Sequence, residues 1–165
     1  MEANSTTRTE FLQRARRALE MLGVETPDLA ALLSHEGPEV SIKFSADNVE
    51  FALHHSTAPA IDALMLIECV LGPIPAADMQ EAPRRLLELN HDFSSLLLTG
   101  FALDPGERAV FTHSCALKDW NAEALVLLMD GMTALAARWR EDGFYSVADV
   151  RSLLATEDGA IAVHP

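Results

Sequence analysis

The chain is poor in the side chains from which reactive centres are built. Its 165 residues include only two cysteines, Cys69 and Cys115, far apart in two separate β-prone runs. That pattern argues against a disulfide framework and suits small buried hydrophobes in a reducing compartment. Basic side chains are scarce too: 12 Lys and Arg stand against 25 Asp and Glu, a formal charge of -13 at pH 7. The densest basic groups, Arg14, Arg16 and Arg17 and then Arg84 and Arg85, lack the clustering that tracks a phosphate backbone and read as solvated helix faces, which argues against a nucleic-acid partner. No segment reaches the roughly 20 apolar residues of a membrane span. The opening MEANSTTRTEF has no apolar stretch behind a basic patch and reads as the start of a leaderless, cytoplasmic protein. A glycine-rich phosphate loop, a nucleophile elbow and a Cys-x-x-Cys pair are all missing, so neither a cofactor nor enzyme activity is expected.

Apolar surface, by contrast, is abundant. Hydrophobic residues make up 49% of the chain, and a domain of this length buries roughly 70% of what its unfolded form exposes. Thr7 and Glu10 have the spacing of a capping box ahead of Phe11, Leu12, Ala15, Ala18, Leu19 and Leu22, a stripe of helical period closed by Gly23. A short helical turn is expected after Thr26 and Pro27. From Val40 the period changes to two: Val40, Ile42 and Phe44 alternate with Ser41, Lys43 and Ser45, and Val49, Phe51 and Leu53 follow the turn at Asp47 and Asn48. The run IDALMLIECVLG, apolar on both faces, reads as a central strand, although period alone does not exclude a helix.

Pro83 leaves two starts for the next helix, one close to Pro83 itself and one at Met79 after an Asp78 cap answered by Glu81. A hairpin turning at Asp104, Pro105 and Gly106 comes next. Its first arm is unusual, because neither the Leu97, Thr99, Phe101, Leu103 face nor the Leu96, Leu98, Gly100, Ala102 face is plainly polar. A long helix capped by Asp119 or Asn121 carries Leu125, Leu128, Met129, Met132, Leu135 and Trp139 and stops at Gly143. Beyond it, Ser146 is expected to cap a last short helix with Val147, Val150, Leu153 and Leu154, ahead of a frayed end. The order α-β-β-β-α-β-β-α implies an α+β sandwich with helices packed on a twisted, mainly antiparallel sheet. Residues 1–143 form the domain and 144–165 an extension.

Candidate chemistry is thin. His54 and His55 are adjacent on a strand, so they point to opposite faces and do not share a metal. His113 and Cys115 lie on one strand face, but two ligands do not make a zinc site, and packing is the expected role. Asp62 and Glu68 are about 20 Å apart along an extended chain, too far to act as one carboxylate pair.

Two stretches carry a family resemblance: LLELNHDFSSLLLTGFALDPGERAVFTHSCALKDWNAEALVLLMDGMTALAARWRED and the amphipathic TEFLQRARRALEMLG. Together with the element order and the acidic charge, they resemble the CesT (Tir chaperone) family of type III secretion chaperones over about Thr7 to Asp142. Pro83, the long connector before the first strand and the tail beyond Gly143 depart from the family pattern. The resemblance implies a homodimeric, ATP-independent chaperone that holds the amino-terminal segment of secreted effectors extended until it meets the secretion apparatus. By the same resemblance, Leu86, Leu89, Phe93 and Leu97 are dimer candidates. Phe11, Leu12, Leu19, Val40, Ile42 and Phe44 are effector-binding candidates, some of which must instead be core. Two other readings stay open: a YbjN-like dimeric regulatory domain that binds a folded partner, and a small metal-dependent enzyme using His113 and Cys115.

Overall fold

Local signals account for most element boundaries in the computed structural model, which describes residues 2–34, 37–56, 64–92 and 99–143. The elements run α1 (Glu2–Met21), α2 (Leu29–Leu33), β1 (Glu39–Ala46), β2 (Val49–Ser56), β3 (Leu64–Pro73), α3 (Ala82–Asp92), β4 (Thr99–Leu103), β5 (Arg108–Ala116) and α4 (Ala122–Asp142). Short 3-10 turns occupy Ala76–Asp78 and Leu117–Asp119. This is the expected α+β order, with α2 standing where the short turn was expected. The strands are hydrogen-bonded in the order β1-β2-β3-β5-β4, which puts β3 in the middle.

One boundary differs from expectation. α1 begins at Glu2, so Thr7 lies inside the helix and is not its cap. No glycine or proline interrupts the chain between Glu2 and Gly23, so nothing stops the helix from running on past Thr7 toward the amino terminus. Glu10, no longer a capping partner, pairs with Arg14 one turn on. The other end follows the sequence reading. Gly23, at φ +67°, ends the helix with Val24 N–H on the Leu19 carbonyl at 2.9 Å and Gly23 N–H on the Glu20 carbonyl at 3.1 Å. This paired closure is the Schellman arrangement, which needs the left-handed backbone that glycine adopts without strain. At α3 the start close to Pro83 is the one realised: Ala82 and Pro83 fill the first turn, where a missing amide hydrogen costs nothing.

Contacts divide the chain into two compact units, Met1–Ile67 with Ser114–Val126, and Glu68–His113 with Leu127–Pro165. In the first, β1 and β2 pair antiparallel with Ala46 opposite Val49. Asp47 and Asn48 make the intervening turn at φ 49° and 61°, the two positive values that a type I′ hairpin demands. Phe11, Leu12, Ala15, Ala18 and Leu19 of α1 are buried together with Val40, Ile42, Val49, Phe51 and Leu53 of the hairpin. Each such large side chain contributes about 1.5–3 kcal/mol. Arg14 ties α1 to the chain after β5 by donating to the Leu117 and Trp120 carbonyls, and Arg17 reaches Glu123 at 2.8 Å.

The second unit holds the carboxyl half of β3 against α4. Cys69 Sγ meets the Met132 carbonyl at 3.6 Å, Trp139 Nε1 donates to the Pro73 carbonyl at 3.3 Å and Arg140 Nε to the Leu71 carbonyl at 3.1 Å. β4 and β5 pair antiparallel with Phe101 opposite Phe111, and the two rings lie 5.1 Å apart. Their turn is organised by Asp104, whose carboxylate accepts from the Gly106 and Arg108 amides at 2.8 and 2.9 Å and from Arg108 Nε at 2.7 Å.

Of the two caps expected for α4, Asn121 is the one used, its Oδ1 accepting from Ala124 N–H at 2.8 Å. Asn121→Ala is expected to destabilise the chain by about 1 kcal/mol and Asn121→Ser by much less, read as urea midpoints at constant slope.

Candidate partner-binding surfaces

The β1 face is built by strict alternation. Val40 and Ile42 turn inward and are buried, while Glu39, Ser41, Lys43 and Ser45 face outward. Phe44 sits between these states: it is half-buried and stacks on Phe51, its register partner, at 5.5 Å. Phe11, Leu12 and Leu19 are 0 to 1% exposed. Thus of the six effector-binding candidates, five fill the chain's own core and Phe44 alone keeps accessible surface. β1 is also terminal in the strand order, so one row of its main-chain groups has no strand beside it among the described residues.

α3 presents the second surface. Ala82, Leu86 and Leu89, at steps of four and three, form its buried stripe. Leu87 falls off that stripe and is 67% exposed, the barest large hydrophobic side chain among the described residues. It borders a shallow depression lined by Arg84, Glu88 and His91. Leu86 and Leu89, both dimer candidates, therefore face their own chain. Phe93 and Leu97, the other two, lie outside the described residues, as do Asp62 and the extension from residue 144. Leu87 is not among the candidates named from the sequence, where Leu86, Leu87 and Leu89 stand within four positions of one another. The Ala82, Leu86, Leu89 spacing was the signal that sets it apart.

Of the reactive side chains, His55, His113, Cys69 and Cys115 are buried and His54 is half-buried. His54 Nδ1 bonds the Ser41 hydroxyl at 2.6 Å. On the opposite strand face, His55 is 1% exposed, stacks on Phe11 at 5.1 Å and bonds the Leu64 carbonyl through Nδ1 at 3.1 Å. Burial, the leading cause, lowers the His55 pKa despite that carbonyl, and burial lowers His113 to about 4. Burial likewise pushes the Cys69 and Cys115 thiols up to about 12, far from the thiolate that nucleophilic or ligand chemistry requires. Among the described residues no three His, Cys, Asp or Glu are grouped as a metal ion would need. No described helix is long and apolar enough to cross a membrane.

Residues 37–140, more than half of the chain, match the model of the Tir chaperone protein (CesT) family. The chain belongs to the CesT family. The matched region runs from just before β1 almost to the end of α4, so it takes in both surfaces described above. Comparison with curated protein sequences found no match. Among solved structures, a chain of the HopA1–SchA chaperone–effector complex is similar at a TM-score of 0.53 and 19% identity, with 86% of this chain and 98% of that chain covered. At that identity the likeness is one of fold. CesT proteins are chaperones of type III secretion, a non-enzymatic kind.

The histidines make the fold sensitive to acid. Because His113 and His55 have lowered pKa values in the folded chain, the unfolded chain binds protons more readily. The stability they contribute is complete above the ordinary histidine value of 6.5 and is lost as pH falls from there toward about 4. For His113 the loss is on the order of 3 kcal/mol at most. Urea midpoints measured across this range are expected to fall steadily, and to fall less steeply in His113→Leu.

Proposed function

We propose that this chain is an ATP-independent cytoplasmic chaperone that binds the amino-terminal segment of a type III secretion effector in extended form and keeps it competent for secretion. The observation that carries this reading is the CesT match over residues 37–140. The similar solved chain comes from a chaperone–effector complex, which supports the same reading. Physical features agree with it. An extended segment that adds to the β1 edge gains main-chain hydrogen bonds and sets alternate side chains against the sheet beside Phe44. Ordering that segment offsets much of the gain, which keeps the complex releasable at the secretion apparatus. A formal charge of -13 keeps a chain with exposed leucines soluble and attracts basic effector segments.

The working unit in this proposal is a homodimer in which the outer face of α3 meets its counterpart around Leu87. Two copies of one apolar patch are self-complementary about a two-fold axis. Arg84 and Glu88, which pair with each other at 2.9 Å, form a polar rim there.

The test is to purify the complex from the native bacterium, digest it lightly and identify what stays protected. A protected stretch near the amino terminus of a secreted protein, with two copies of this chain, is the expected result. A folded partner protected over its whole length would overturn the proposal. Leu87→Asp is expected to convert dimer to monomer in sedimentation while leaving the circular dichroism of the fold unchanged. Leu89→Asp instead places an unpaired charge in the chain's own core and is expected to cost several kcal/mol of folding stability.

A further inference from the structure

β4 is the other terminal strand of the order, and its edge is treated differently. Asn90, in the last turns of α3, donates from Nδ2 to the Phe101 carbonyl at 2.8 Å and accepts from the Phe101 N–H at 2.6 Å through Oδ1. A residue in an antiparallel strand directs both main-chain groups toward the same side. Phe101 lies opposite Phe111 in the register but bonds Asn90, so its groups point away from β5 and form the outer edge. The neighbouring Gly100 has the opposite sense: its carbonyl accepts from the Thr112 hydroxyl on β5 at 3.2 Å. The outward groups of this strand therefore fall on Thr99, Phe101 and Leu103, with Phe101 in the middle.

A primary carboxamide presents its carbonyl oxygen and the N–H cis to it on one side, as the facing residue of a neighbouring antiparallel strand presents its own N–H and C=O. Asn90 thus makes at Phe101 the two hydrogen bonds that an added strand would make. We infer that Asn90 is a built-in strand mimic that closes the outer edge of β4 to strand addition and so confines extended partners to the edge of β1. The closure stands on the geometry alone. The consequence for partner choice rests on the chaperone reading proposed above.

The test uses the full chain without any effector, so its outcome is separate from that of the chaperone reading. Asn90→Ala removes both bonds. The Phe101 amide is expected to exchange its hydrogen roughly tenfold faster, and species larger than those of the unaltered chain are expected in sedimentation as β4 edges pair. In Asn90→Ala carrying also Thr99→Cys and Leu103→Cys, oxidation is expected to link copies covalently, because antiparallel pairing centred on Phe101 sets position 99 of one copy beside position 103 of the other. With Asn90 intact, the same two cysteines should stay unlinked between copies. Asn90→Asp keeps the acceptor for the Phe101 amide and adds a charge at the edge, so slow exchange and no added association are expected. Unchanged exchange in a folded Asn90→Ala, or faster exchange without association or linkage, would overturn the inference. If Asn90→Ala fails to fold, fast Phe101 exchange in Asn90→Asp would overturn it instead.

Discussion

An open sheet ends in main-chain hydrogen-bonding groups that no strand of its own satisfies, and every such edge must be paired, covered or left for a partner. The two terminal strands of this protein meet that constraint in different ways. At β4 the side chain of Asn90 supplies the missing pair of bonds. At β1 the outward side chains are polar and short, apart from Lys43 and Glu39, and Phe44 leaves part of its ring accessible beside them. Under the function proposed above, one edge accepts an extended segment while the other is closed to strand addition.

The same division between internal and external use runs through the apolar residues. The stripe of α1 is spent on the core of the first unit, with Phe11 stacked on the buried His55. In α3 one leucine of three is turned outward. Among the described residues, surplus apolar surface is therefore local, carried by side chains such as Leu87 and Phe44. The formal charge of -13 opposes aggregation through such patches.

Much of the fold was legible because the signals are local. Period-two alternation from Val40, the Asp47–Asn48 turn, the Asp104–Pro105–Gly106 turn, the Asn121 cap and the glycine stops at Gly23 and Gly143 each act within a few residues, and each appears in the structure. The start of α1 was misread for a local reason as well. A Thr-x-x-Glu spacing marks a cap only if the preceding residues leave the helix, and here nothing obliges them to. The candidate surfaces were less legible. Val40 and Ile42 look the same in sequence whether a partner or the chain's own helix covers them.

The order of elements, the α+β class and the excess of acid over base can be read from the chain alone, because backbone periodicity, turn chemistry and charge are properties of neighbouring residues. Only the tertiary structure decided that Leu86 and Leu89 face inward while Leu87 faces out, and that Asn90 pairs with Phe101 eleven residues away. Those outcomes depend on how a helix is rotated and set against a strand. That orientation comes from the summed packing of many distant side chains, which no short window of sequence contains.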